Sequence, residues 1–112
     1  MPTLETSGTQ TATLDTEHTL GPSGTEITTN KFFELWVDLG AMAFNDRTVF
    51  RVYLKCLTGG TERLAAQVPL WDAPTEKFFR SGPIPSDIWV RFTLEQTDGT
   101  GRSYPWKVLS WT

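Results

Sequence analysis

The stretch Asp87-Ile88-Trp89-Val90-Arg91-Phe92-Thr93-Leu94-Glu95-Gln96 decides the class of fold. Successive side chains of an extended chain point to opposite faces. Ile88, Val90, Phe92 and Leu94 therefore share one face, and Trp89, Arg91, Thr93 and Glu95 share the other. A helix would scatter both sets around its axis. The same period of two recurs upstream. In Lys31–Leu39 it sets Phe33, Leu35, Val37 and Leu39 against Phe32, Glu34, Trp36 and Asp38. In Arg47–Leu57 it sets Phe50, Val52, Leu54 and Cys56 inward and Val49, Arg51, Tyr53 and Lys55 outward.

Turn chemistry separates these runs. Thr58-Gly59-Gly60-Thr61 reads as a hairpin turn, since glycine supplies the positive φ that tight turns need. A returning strand then places Leu64, Ala66, Val68 and Leu70 inward. Trp71-Asp72-Ala73-Pro74 breaks the pattern before a short strand at Thr75–Arg80, and Ser81–Ser86 reads as a rigid proline-bracketed connection. Asp98-Gly99-Thr100-Gly101 reads as a second hairpin turn, with Arg102–Thr112 pairing back on the strand before it. Pro105 sits near the start of that last strand, where a missing N–H does least harm. Six strands follow Lys31, with one or two more between Thr9 and Thr29. The fold class expected is all-β: an antiparallel two-sheet β-sandwich, jelly-roll or Ig-like, with an extended N-terminal arm. A small closed barrel is the alternative.

The arm is set apart by composition. Residues 1–30 hold ten threonines, the acids Glu5, Asp15, Glu17 and Glu26, no Lys or Arg and no aromatic residue. Its large apolar residues are Leu4, Leu14, Leu20 and Ile27. Such a segment buries too little apolar area to order itself, so its order must come from the body or from a neighbouring chain. The expected organisation is an arm over 1–30 and a sandwich over 31–112. Deleting residues 2–20 is expected to leave the sandwich folded.

Several function classes are disfavoured. The chain has 112 residues, a net charge of −3, one cysteine and one histidine. An acidic balance argues against sequence-independent nucleic-acid binding, which needs Lys and Arg in excess. His18 is the single candidate base, and it lies outside the aromatic body. Cys56, placed inward, acts as a small hydrophobe. No metal-ligand spacing and no phosphate-cradling loop occurs, so neither metal nor cofactor is expected, and the chain is not expected to be an enzyme. No apolar run reaches the roughly 18–20 residues of a membrane span, and the start lacks the pattern of a secretory signal.

The aromatics are the loudest signal. Five tryptophans exceed what one small core can hold, so Trp36 and Trp89, the latter beside Arg91, are expected to point outward. Trp, Tyr and Arg are the residues that anchor protein interfaces. The candidate interface residues are Leu14, His18, Leu20, Trp36, Tyr53, Trp89 and Arg91. A sugar-stacking platform is the competing use of exposed rings, and it requires coplanar ones.

Val52-Tyr53-Leu54-Lys55-Cys56-Leu57-Thr58-Gly59-Gly60-Thr61-Glu62-Arg63 and Phe92–Val108 resemble small virion proteins of tailed bacteriophages. Leu14-Asp15-Thr16-Glu17-His18-Thr19-Leu20 and Val37-Asp38-Leu39 share the likeness, which runs through most of the chain from about Thr13. The resemblance implies a β-sandwich virion component without catalytic residues. Within that group the expected role is a capsid decoration or cement protein on the outer shell. Its partners would be the major capsid protein and further copies of itself, possibly as a trimer, with no membrane and no nucleic acid. A tail or head-completion subunit and a carbohydrate-binding module are the alternatives.

Overall fold

The computed structural model describes residues 3–21, 31–57, 59–86 and 89–112, and these contain no helix. They form nine strands: β1 (Thr3–Thr11), β2 (Glu17–Gly21), β3 (Lys31–Asp38), β4 (Arg47–Leu54), β5 (Arg63–Trp71), β6 (Phe78–Arg80), β7 (Ile84–Ser86), β8 (Val90–Asp98) and β9 (Ser103–Trp111). One sheet runs β1-β9-β3-β6, with β7 also on β3; the other runs β2-β8-β4-β5. Every pairing is antiparallel. The two sheets pack face to face as a β-sandwich.

The period of two carries through to the core. Phe33, Leu35 and Val37 of β3, Phe50 and Val52 of β4, Val90, Phe92 and Leu94 of β8, and Tyr104 and Val108 of β9 are buried between the sheets. Phe50 and Phe79 stack across the gap, their ring centroids 4.4 Å apart. Each fully buried side chain of this kind contributes about 1.5–3 kcal/mol.

Residues 3–21 do not stand apart from this body. β1 pairs with β9 and β2 pairs with β8, so the segment provides one edge strand to each sheet. It is extended, and its order comes from the body. Ala12 and Leu20 reach the core, Leu20 with 1% of its surface exposed. A division at Asn30 therefore does not separate the described part of this segment from the sandwich, since both of its strands belong to the sheets. Residues 22–30 and Ile88 lie outside the described residues.

Three other expectations change. Asp98-Gly99-Thr100-Gly101 is not a hairpin turn, because β8 and β9 belong to different sheets and the connection crosses from one to the other. Packing sets this crossing. Gly99 (φ 87°) lies against Asp46, and a β-carbon on Gly101 would stand 2.3 Å from the Ala12 carbonyl oxygen. Buried Gln96 ties the corner: its Nε2 donates to the carbonyls of Asp98 (3.0 Å) and Thr100 (2.7 Å), and its Oε1 accepts from Arg102 N. Tyr104 Oη donates to the same Oε1 and shares a hydrogen bond with Thr48.

On β5 the expected inward set is broken. The register shifts by one residue at Ala65, a bulge that puts Leu64 opposite outward-facing Tyr53, while Ala66 and Val68 stay opposite Val52 and Phe50. Those two remain exposed, because the facing sheet ends there in the three-residue strands β6 and β7. Cys56 is exposed as well, since β4 ends at Leu54 and the chain has already entered the turn. Ile84–Ser86, expected as connection only, adds a short strand to β3. The β4–β5 hairpin is as expected, with Gly59 at φ 74°.

Candidate functional site: an aromatic sheet face

The outer faces of the two sheets differ in chemistry. On the β2-β8-β4-β5 sheet the outward residues form an ion-pair lattice. Arg51 bonds Glu95 at 2.6 Å and lies 3.6 Å from Glu17, and Arg91 bonds Glu62 at 2.7 Å. Glu17 also accepts from Tyr53 Oη (2.6 Å) and Thr93 Oγ1 (2.5 Å), and the Arg91 guanidinium lies 4.4 Å from the Tyr53 ring centroid. Burial works against the charge on Glu17, but the bonds from Thr93 and Tyr53, with Arg51 and Arg91 nearby, hold its carboxyl below the usual range. Burial and the bond to Glu17 raise the Tyr53 hydroxyl. The ion pairs satisfy the charges across β2, β8 and β4, while Leu64 and Trp71 stay exposed on β5.

The outer face of the β1-β9-β3-β6 sheet carries rings and aliphatics. Alternation turns Phe32, Glu34, Trp36 and Asp38 of β3 outward, and the register places Trp111, Leu109 and Lys107 of β9 beside the first three. Leu4 of β1 pairs with Leu109, and Ser7 pairs with Lys107. Arg80 of β6 pairs with Trp36, and Phe78 with Asp38. Phe32 and Trp111 stack at 6.0 Å with 19° between their planes, and Trp36 meets Phe78 edge-on at 5.6 Å and 75°. Leu4, Phe32 and Phe78 are all exposed.

A single buried carboxylate organises the centre of this face. Glu34 is only 2% exposed; it accepts the indole N–H of Trp36 and the Nε–H of Arg80, the latter at 2.9 Å. Trp36 is thus pinned in one orientation. Lys107 Nζ lies 4.6 Å and the Arg80 guanidinium 5.5 Å from the centroid of its ring, which is attractive for the ring quadrupole. Beside Trp36 a groove of about 230 Å³ opens between Ser7, Asp38, Phe78, Pro105 and Lys107.

The residues singled out by sequence do not form one surface. Leu14 is exposed in the β1–β2 turn. His18 is half-buried and accepts a hydrogen bond from Thr13 N at 3.1 Å. Tyr53 and Arg91 belong to the ion-pair lattice, while Trp36 lies on the opposite sheet. Leu20 and Trp89 are corrections: both are buried and neither is available for contact. Trp89 is 6% exposed because it precedes β8, where Ser86 Oγ accepts its backbone N–H and the Lys55 amine lies 5.0 Å from its ring. Alternation carries no weight before the strand begins. Phe32, Phe78, Trp111 and Leu4 were missed as a group. Alternation already paired Phe32 with Trp36, but only the register brings β1, β6 and β9 alongside them.

Among the described residues no three His, Cys, Asp or Glu side chains are placed to hold a metal ion. No helix among them is long and apolar enough to cross a membrane. Comparison of the chain with family models, with curated proteins and with solved structures finds no match.

Proposed function

We propose that this protein is a structural virion subunit of a tailed bacteriophage, a decoration or cement protein docked on the outer surface of the major capsid protein. The observation that carries the reading is the contrast between the two outer faces. One is crossed by an ion-pair lattice and exposes Leu64 and Trp71 at its β5 edge, and the other exposes Leu4, Phe32 and Phe78 around the half-buried Trp36 and Trp111 on a rigid sheet. A rigid apolar patch loses little side-chain freedom on docking, and contacts repeated over a symmetric shell add up by avidity. The resemblance of the Val52–Arg63 and Phe92–Val108 segments to phage virion proteins supports the same assignment.

The test is co-sedimentation of the purified protein with shells that lack it. Saturable binding at the stoichiometry of the shell lattice is expected. Phe32→Asp should weaken it more than tenfold without shifting the urea midpoint by much, since Phe32 is already exposed. Wild-type protein that ignores shells, or a Phe32→Asp variant that fills them as wild type does, overturns the assignment. Binding confined to tail or portal assemblies would make the protein a tail or head-completion subunit. Carbohydrate binding is the second reading, favoured by the half-exposed Trp36 beside Asp38, Ser7 and Lys107. Against it, Trp36 and Phe78 are edge-on and two cations already lie over the indole. Tryptophan fluorescence that stays unchanged across a glycan panel removes that reading.

A further inference from the structure

The chain has one histidine, and the fold uses its ring. His18 lies on β2 between Glu17 and Thr19, which turn outward to Tyr53 and Arg91. Alternation therefore turns His18 inward. Its Nε2 reaches back to the corner that joins β1 to β2 and accepts the Thr13 N–H at 3.1 Å. A backbone N–H can only donate, so the nitrogen that meets it must offer a lone pair. In the neutral imidazole the ring proton then sits on Nδ1.

The corner hangs on few bonds. Ala12 N donates to the Arg102 carbonyl at 2.8 Å and Asp15 N (φ 62°) to the Gln96 carbonyl at 2.8 Å, which ties both ends to the β8–β9 crossing. Between them Thr16 N donates to the Thr13 carbonyl at 3.1 Å and closes the turn over exposed Leu14. Among the described residues the Thr13 N–H is held by His18 alone. Protonation removes that acceptor. An imidazolium carries a proton on both nitrogens, so an Nε2–H would face the Thr13 N–H. Neighbouring charges do not offset the change. On β8 the residues beside His18 on the inner face, Phe92, Leu94 and Gln96, are uncharged. Towards β1, Gln10 and Ala12 are uncharged and Glu5 is bonded to Lys31. Glu17 and Glu95 are engaged by Arg51 on the outer face, Arg102 is bonded to Asp46, and Asp15 is exposed. No described carboxylate forms an ion pair with His18.

We infer that His18 is a proton-controlled latch on the β1–β2 corner. Neutral, it holds the Thr13 N–H and fixes the tip that presents Leu14. Protonated, it lets go of that N–H, and the Thr13–Leu14 tip loosens while Ala12 and Asp15 stay tied to the crossing. Histidine is the side chain whose charge ordinarily changes between about pH 5 and 8, so the latch responds to mild acidification. The surface that changes is the tip at Leu14, at the end of the molecule where the N-terminal strands cross from one sheet to the other. The inference concerns this corner and is independent of shell docking.

Nuclear magnetic resonance of the isotope-labelled full chain, from about pH 8 to about pH 5, tests it. At the upper end the ring nitrogens should show Nδ1 protonated and Nε2 bare. As pH falls, the Thr13 amide proton should shift with the same midpoint as the His18 ring protons. Its hydrogen-exchange protection, corrected for intrinsic exchange, should drop about fivefold or more. The amides of Ala12 and Asp15 should keep theirs. In His18→Gln the Thr13 amide should not respond over this range. Should that variant misfold by circular dichroism, the wild-type titration decides by itself, since ring and amide are read in one sample. A ring protonated on Nε2 at the upper end, a ring that stays neutral throughout, or a Thr13 amide that ignores the ring's titration overturns the inference. So does a Thr13 response retained in folded His18→Gln, or an equal loss of protection at Ala12, Thr13 and Asp15, which marks a wider opening in acid.

Discussion

Replacing Asp46 by alanine should be among the most damaging single changes to this domain. Asp46 is fully buried and fastens three segments. Its carboxylate accepts Ala43 N at 2.9 Å from the β3–β4 loop, Thr100 N at 3.2 Å from the β8–β9 crossing, and Arg102 Nε at 2.9 Å at the start of β9. Alanine leaves two backbone N–H groups without their acceptor, at about 1–3 kcal/mol each. It also unpairs a guanidinium; breaking a buried pair costs about 3–5 kcal/mol, and less here because the Arg102 side chain is 31% exposed. A loss of about 4 kcal/mol is the expectation, a large part of the roughly 5–15 kcal/mol that holds a domain folded. Urea unfolding followed by tryptophan fluorescence should show the midpoint lowered by more than about 1 M. The effect should depend on pH with a definite sign. Burial opposes the charge on Asp46, but the bonds from Ala43, Arg102 and Thr100 outweigh it and hold the carboxyl below its ordinary value. A carboxyl lowered by folding stabilises fully above its unfolded value, near 3.9, and loses that contribution as pH falls through the folded value. The gap between wild type and Asp46→Ala should therefore narrow in acid. A difference under about 1 kcal/mol at neutral pH, or one that widens as pH falls, refutes the account of Asp46 as the fastener of the crossing.

Two further outcomes test the fold. Gly99→Ala places a β-carbon 2.0 Å from Asp46 Oδ1 and 2.8 Å from its Cα at φ 87°, whereas Gly59→Ala at φ 74° meets nothing within 4 Å. Thermal melts should show Gly59→Ala losing about 1–2 kcal/mol for its left-handed backbone and Gly99→Ala losing clearly more; equal losses would mean that the crossing is not crowded. Leu20→Ala should cost about 2–5 kcal/mol by calorimetry, and removal of residues 1–21 should abolish cooperative unfolding, since both edge strands go with it. A truncated chain that melts cooperatively near the wild-type temperature contradicts the register of β1 and β2.

The amino-acid sequence by itself determined the strand class, the positions of β3, β4 and β8 and most of the core, because alternation along a strand is a local property. Phe33, Leu35, Val37, Phe92 and Leu94 are inward for that reason alone. Other positions are decided by contacts between distant segments. Trp89 fits the alternation of the run that follows it, yet it precedes the strand and is buried, with Ser86 on its backbone and Lys55 against its ring. Leu64 sits in an apolar alternation, yet a bulge at Ala65 moves it to the other face. The glycines at Gly99 and Gly101 mark a turn in any fold; only their crowding against Asp46 and Ala12 decides that the turn crosses between sheets. The polar segment before Asn30 has no core of its own, so its place as two edge strands is a consequence of open edges on β8 and β9. The candidate site belongs to this second class. Leu4, Phe32, Phe78 and Trp111 lie far apart along the chain, and the register of β1, β3, β6 and β9 makes them neighbours. Strand formation depends on nearest neighbours in sequence, whereas a docking face depends on which strands pair, and pairing is settled by the packing of the whole domain.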